Sequence, residues 1–365
     1  MHIGPLPHKS RKYSTATFTI ISIALVFAFS SCQGKDTKKT SKHSNAKEKK
    51  MEGTATAAAA VKEEVKQEPI KPLDTALYSK LVLHLVHDKP DGKWPVKTAY
   101  PQDGAILPFK RIVAYYGNFY SKGMGILGAL PTPQMIAGLL KEAKKWAAAD
   151  SAIPTIPAIH YIAVSAQSRP GKGAKYRLRM PKTEIDKAIR LADSINGLAI
   201  LDVQVGHSTL KEELPLLEPY LSKTNVHLGI DPEFSMKDGH VPSTKIGTFD
   251  AADINYAVNY LAEIVKKYNL PPKVLVVHRF TKGMVTNYKK IVTRPEVQIV
   301  MDMDGFGFPA KKVSSYKLAI VTEPVQFTGF KLFYKNDTLT PKLGKMMAPK
   351  DVLNLYPSPI YIQYQ

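Results

Sequence analysis

The chain has one cysteine, Cys32, in 365 residues. A chain with a single cysteine forms no internal disulfide, so its folded part must be held by a packed core. Acidic residues are also in short supply: 31 Asp and Glu stand against 51 Lys and Arg, a formal charge of +20. Such a balance attracts anionic neighbours such as lipid head groups or acidic glycans, and it equally describes a lysine-rich, solubilised surface. No nucleic-acid-binding motif accompanies it, so nucleic acid is not expected as a partner. The apolar run at the N-terminus is shorter than the about 20 residues a comfortable spanning helix needs. Several signatures are missing. "YYGNFYSKGMGILG" lacks the GxGxxG spacing of a dinucleotide site. There is no P-loop, no HExxH and no G-x-S-x-G elbow, so no cofactor is expected and no metal ligands are assigned.

What is present begins with a targeting segment. His8, Lys9, Arg11 and Lys12 precede "ATFTIISIALVFAF", Ala16 to Phe29, which ends in "FSSC". A basic start, an apolar core and small residues before a cleavage point make a secretory signal over residues 1–31. A cysteine at that junction resembles the lipobox of bacterial lipoproteins, with Phe29 and Ser30 where Leu and Ala are commoner. The resemblance implies cleavage before Cys32 and lipidation of it, palmitate included, which anchors the protein to a bilayer of the cell envelope. An ordinary signal peptide with an incidental cysteine is the alternative. Residues 32–73 then read as a tether. "KDTKKTSKHSNAKEKK" and "TATAAAAVKEEVKQEPIKP" offer no apolar face to bury and read as disordered.

From residue 74 onward, strand-like and helix-like patterns alternate. Short apolar runs occur in "RIVAYYG", "TIPAIHYIAV", "LAILDVQV", "VHLGIDPEF", "KVLVVHRF", "VQIVMDMDGFG", "FTGFKLFYK" and "PIYIQYQ". Between them, "PQMIAGLLKEAKKWAAAD", "TEIDKAIRLADSIN", "STLKEELPLLEPYL" and "DAADINYAVNYLAEIVKKYN" carry apolar residues at helical spacing. A weak helix is expected near Val285 to Ile291, a helix in "KKVSSYKLAIV" whose tail reads equally as strand, and a short helix in "APKDVLNLY". Nearly continuous apolar strands suit a parallel sheet buried on both faces. Eight of them predict an α/β fold, a single (β/α)8 TIM-like barrel over residues 74–365. "TALYSKLVLHLVHD" is expected to supply a helix that fills the gap in the outer ring. A doubly wound open sheet is the alternative.

In such a barrel the strand C-termini and the following loops build the active face. Polar residues fall there repeatedly. The first strand ends in Tyr116 and Asn118. The third ends in Asp202 and Gln204, with His207 just beyond, the fourth in Asp231 and Glu233, and the fifth in His278 and Arg279. The sixth ends in Asp302 and Asp304. Lys331, Tyr334 and Lys335 lie on or after the seventh, and Tyr361, Gln363 and Tyr364 on the eighth. Taken as strand residues, Asp202 with Gln204, Asp231 with Glu233, and Asp302 with Asp304 share a side at i and i+2. Crowded carboxyls raise one another's pKa and so supply an acid and a base from one residue type. Glycoside hydrolysis uses such a pair. Tyr115, Tyr116, Tyr120, Phe234, Phe280, Phe306 and Phe308 lie near the same loops, where some could stack on sugar rings and the others pack. His207 and His278 with the acids form the competing metal-hydrolase reading, without a supporting close spacing.

The set "VAYYGN…GILG", "LDVQVGHS", "GIDPEF", "DGFG" and "YIQYQ", across Arg111 to Gln365, resembles an uncharacterised family of secreted bacterial barrel-fold lipoproteins. That resemblance implies a hydrolase-like barrel without naming an activity. The D-x-E of the fourth strand is broadly similar to glycoside-hydrolase barrels, but the full D-x-x-D-x-D-x-E of chitinase-type enzymes is absent. The expectation is a membrane-tethered envelope lipoprotein that cleaves a glycan. Glu233 is the expected proton donor, with Asp231 or Asp302 as base or nucleophile. Asp202, Gln204, His278, Asp304, Tyr116, Asn118 and Lys331 would hold the substrate. A non-catalytic glycan-binding or scaffold lipoprotein is the second expectation, and a metal-dependent hydrolase the third.

Overall fold

Apolar side chains of both parities on the central strands require cover on both sides, and a closed barrel provides it. The computed structural model describes residues 70–365. The signal segment, Cys32 and most of the tether lie outside the described residues. Eight strands run parallel: β1 Arg111–Gly117, β2 Thr155–Ala166, β3 Leu198–Val203, β4 Val226–Ile230, β5 Lys273–His278, β6 Val297–Met303, β7 Phe327–Leu332 and β8 Tyr361–Tyr364. Each pairs with its neighbour in sequence, and β1 pairs with both β2 and β8, with Tyr116 opposite His160 and Ala114 opposite Gln363. That double pairing closes the sheet and rules out the open, doubly wound alternative. A short strand, Arg177–Arg179, runs antiparallel to the end of β2.

Side-chain parity separates two cores. Val113, Tyr115, Ile159, Leu201, Leu228, Val277, Ile299, Phe330 and Ile362 point outward into a cluster shared with the surrounding helices. Ile112, Ala114, Ala158, Leu198, Ile200, Val274, Val276, Val300, Phe327 and Tyr361 point inward into a second cluster at the N-terminal end of the barrel. Burying each Val, Leu or Ile contributes about 1.5–3 kcal/mol, so both layers matter to stability.

The helices follow their sequence signals. α1 (Thr75–Leu85) starts at Asp74, whose side chain accepts from the Leu77 N–H at 2.8 Å. It buries Tyr78, Leu81 and Leu85 against the inward-facing cluster, so it closes the N-terminal end of the barrel rather than filling the outer ring. α2 (Thr132–Ala149) and α3 (Lys182–Ser194) pack on the outside of β1–β3. α4 (Ala251–Tyr268) has a capping box of Asp250 and Asp253 and ends at Asn269 in the left-handed region. The segment between β3 and β4 is broken into short turns rather than one helix, since Pro215 and Pro219 each remove a backbone donor. α5 (Pro309–Ser315) continues into a π-helical turn over Tyr316–Val321, and α6 (Pro349–Leu353) precedes β8.

The helix expected near Val285 to Ile291 is absent. Val285–Thr286 pairs instead with Phe249–Asp250, and only a 3-10 turn follows at Tyr288–Lys290. Val285 packs into the outer core from this short pairing, and Asn287 sits at φ 56°, outside helical geometry. Among the described residues, no helix is long and apolar enough to cross a membrane. A cavity beside α1 is lined by Tyr78, Val82, Trp94, Phe327 and Thr328, with no carboxylate in its lining.

Candidate functional site

The inward parity of the strands continues upward into polar residues. At the level above Ile200 and Val276, the interior holds Tyr116, His160, Asp202, Gly229, His278, Asp302, Gly329 and Tyr361. Gly229 and Gly329 make room for this layer. A Cβ at Gly229 would lie 2.4 Å from His160 Nε2 and 2.5 Å from Asp202 Oδ1, and one at Gly329 would lie 2.6 Å from Asp302 Oδ1.

Asp202 is the hub. The Tyr116 hydroxyl donates to its Oδ2 at 2.9 Å, and its Oδ1 stands 3.3 Å from both His160 Nε2 and His278 Nε2. On its other side, His278 Nδ1 is 3.2 Å from Asp304 Oδ2 and 3.6 Å from Asp302 Oδ2. The sixth-strand pair, Asp302 and Asp304, therefore shares one side as the i, i+2 spacing predicts. So does the third-strand pair, because Gln204 Nε2 donates to the same Tyr116 oxygen at 3.2 Å. Gln204 also reaches Asp231 Oδ2 at 3.4 Å and accepts from the Ala166 N–H at 3.1 Å.

The fourth-strand pair departs from that pattern. β4 ends at Ile230, and Pro232–Phe234 forms a 3-10 turn capped by Asp231, whose Oδ1 accepts from the Glu233 N–H at 3.1 Å. The two carboxyls are thus not side by side on a strand. Asp231 faces inward, whereas Glu233 stands half-buried at the mouth.

Exposure grades the site by depth. His160, Asp202, His278 and Asp302 are 0% exposed, whereas Asp231, Lys331, Gln204 and Asp304 retain 3–8%, so contact with solvent begins at that level. Lys331 Nζ lies 3.9 Å from the centre of the Tyr116 ring and 4.0 Å from Asp304 Oδ2. Neither Asp302 oxygen nor Asp304 Oδ1 meets hydrogen-bond geometry with any group among the described residues.

Burial dominates the ionisation of this cluster. It pushes Asp302 up to about 7 and Asp231 well above the usual carboxylate range. Glu233 is likewise raised to about 7, by burial first and then by Asp304. Burial also pulls His160 down to about 4 against the influence of Asp202. His278 goes the other way: burial disfavours its charge, but Asp202 and Asp304 on its two sides outweigh it and raise the ring well above its ordinary value. For Asp202, burial is outweighed by His278 and His160, so its carboxyl is held low.

The remaining candidates are placed outside the cluster. Asn118 donates from Nδ2 to the Ile162 carbonyl at 3.0 Å and accepts from the Tyr120 N–H at 2.8 Å, so both ends of its amide hold backbone. His207 packs on Tyr176, with Nε2 2.7 Å from the His240 carbonyl. Arg279 donates to the carbonyls of Thr281, Lys282 and Val285 and pairs with Glu323. Tyr115, Tyr334 and Tyr364 face outward, with the Tyr115 and Tyr334 hydroxyls 2.9 Å apart and Tyr364 accepting from Trp146. Of the loop aromatics, Tyr120 and Phe306 are exposed, while Phe234, Phe280 and Phe308 are half-buried. His160 lies in mid-strand in "TIPAIHYIAV", where nothing in the local sequence sets it apart from core. Its signal is parity: it is two positions from Ala158, which faces inward.

No protein-family model matches the chain, and no curated protein matches its sequence. The site is therefore interpreted from its own residues.

Proposed function

We propose that the chain is a lipid-anchored protein of the bacterial cell envelope whose barrel hydrolyses a glycosidic bond. The observation that carries this reading is the arrangement at the mouth. Glu233 is half-buried above a pocket in which Asp304 Oδ1 has no partner among the described residues. Glu233 is the acid, held protonated near neutrality by burial and by Asp304, and it donates its proton to the leaving-group oxygen. Asp304 is the counterpart carboxylate, acting on the anomeric carbon or on a water. This refines the pairing expected from sequence. Asp231 is occupied by the Glu233 N–H and Gln204, and Asp302 is sealed at the base, which leaves Asp304 better placed than either. Gln204 and Lys331 line the level a polar substrate reaches first, and Tyr120 and Phe306 are the aromatic faces open to a sugar ring.

The test is a screen of envelope glycans for cleavage by the wild type, followed by Glu233→Gln and Asp304→Asn in cleavage and binding. Loss of cleavage with retained binding supports the enzyme. Binding without any cleavage by the wild type replaces it with the glycan-binding reading, which the same pocket and aromatics would serve. For the anchor, Cys32→Ser is expected to leave the membrane fraction, and a variant that still sediments with membranes after a high-salt wash overturns lipidation.

A further inference from the structure

Three atoms at the base of the pocket have no place in the acid–base reading. His160 Nε2, His278 Nε2 and Asp202 Oδ1 come from β2, β5 and β3, belong to fully buried residues, and satisfy no hydrogen-bond geometry among the described residues. Buried polar atoms of this kind are rare and call for a partner. The three lie within 4.8 Å of one another, and the two Asp202–His separations are each 3.3 Å. Ligand atoms bound about 2.0–2.2 Å from a single ion stand about 3.3–3.6 Å apart along a tetrahedral edge. We propose that His160, Asp202 and His278 bind one divalent transition-metal ion of the zinc class.

The surroundings fit that assignment. A ring that ligates through Nε2 carries its proton on Nδ1 and gives it to an oxygen acceptor, which fixes both tautomer and orientation. His278 Nδ1 faces Asp304 Oδ2 at 3.2 Å, and His160 Nδ1 faces the Tyr361 hydroxyl at 2.6 Å. The Gln363 side chain lies 3.0 Å from His160 Nδ1 through its nitrogen, while its oxygen has no partner. Turning that amide over presents the oxygen to Nδ1–H, a choice its shape permits. Asp202 keeps Oδ1 for the ion and takes the Tyr116 hydroxyl on Oδ2. Gly229 preserves the space, since any larger residue would place a carbon 2.4 Å from His160 Nε2 and 2.5 Å from Asp202 Oδ1. Nitrogen and carboxylate donors without thiolate suit zinc, and three protein ligands leave a coordination position open.

This site shares Asp304 with the proposed hydrolytic pair, through Oδ2 rather than Oδ1, and is tested without substrate. The purified full-length chain is stripped with chelator and titrated with Zn²⁺ by calorimetry, and with Co²⁺ by visible absorption. One equivalent per chain is expected, with the intense absorption of a four-coordinate cobalt site and a rise in Tm that follows free metal concentration. Asp202→Asn and His278→Gln are expected to weaken binding beyond the about 10- to 100-fold that loss of an outer hydrogen-bond partner gives, and Tyr361→Phe by that smaller amount. Tyr361→Phe removes only a hydroxyl, so it remains informative if the ligand variants fold poorly. A wild type that binds no stoichiometric metal overturns the proposal, as does unchanged affinity in His278→Gln or in Tyr361→Phe.

Discussion

The two halves of the barrel interior are built from the same strands in the same parity, and they differ in what they leave unsatisfied. Below, Ile112, Ala114, Leu198, Ile200, Val274, Val276 and Val300 close on α1 in an apolar layer. The polar side chains that enter that half bond backbone: Gln298 accepts from the Ile106 and Leu107 N–H groups and donates to the Leu107 carbonyl, and His227 Nδ1 accepts from the Val274 N–H at 3.0 Å, with its Nε2 left without a partner among the described residues. Above, carboxyls and imidazoles from five strands crowd together, with oxygens of Asp202, Asp302 and Asp304 left without hydrogen-bond partners among the described residues. An interior selected for stability alone would resemble the lower half, because each unpartnered buried polar group costs about 1–3 kcal/mol. The difference teaches that the lower half supplies stability and the upper half gives up part of it to hold a polar cluster.

The largest expected effect that sharpens this contrast belongs to the upper half. Glu233→Gln is expected to lower glycan turnover by about 10²–10⁴-fold, the range of general acid catalysis, with no fall in the urea midpoint. Next comes the lower half. Ile200→Ala removes a fully buried side chain and is expected to cost about 2–5 kcal/mol in urea unfolding, with turnover per folded molecule preserved. A loss under 1 kcal/mol there would break the assignment of stability to the lower layer. A smaller change is expected for Gly329→Ala, at the boundary between the halves. Its new methyl would meet Asp302 Oδ1 at 2.6 Å and Tyr361 at 2.8 Å, and such overpacking costs about 1–3 kcal/mol. No change in stability would mean the polar layer has slack that its packing does not suggest.

The last expectation is a pH dependence. The Glu233 carboxyl is raised to about 7 in the fold, against about 4.3 in an unfolded chain. Between those values the folded state holds a proton that the unfolded state has lost, so this group makes stability fall as pH rises through that window. Turnover should decline as pH passes about 7, and Glu233→Gln should remove this group's contribution to the stability slope. A wild-type rate that keeps rising above that pH would show that Glu233 is not used as an acid.

Much of the architecture was readable in the chain. The eight apolar runs are the eight strands, and the strand-end acids do converge. What escaped has identifiable causes. His160 sits inside an apolar strand, where composition says core, and only the inward parity of a closed sheet gives it neighbours. Gly229 and Gly329 have no side chain to mark a site, yet they are the spaces that admit Asp202 and Asp302. Asp231 and Glu233 were read as strand partners, whereas Pro232 ends pairing and turns Asp231 into a cap for the Glu233 N–H. The segment after β5 docks its apolar residues through a short strand pairing, and Asn287 in the left-handed region ends any helix there.

The division of labour is tested most directly by measuring Glu233→Gln and Ile200→Ala side by side, each for urea midpoint and for glycan turnover per folded molecule. The account predicts that Glu233→Gln loses turnover without any loss of midpoint, while Ile200→Ala loses stability and keeps turnover. Full turnover in Glu233→Gln, or turnover abolished in folded Ile200→Ala, would contradict it.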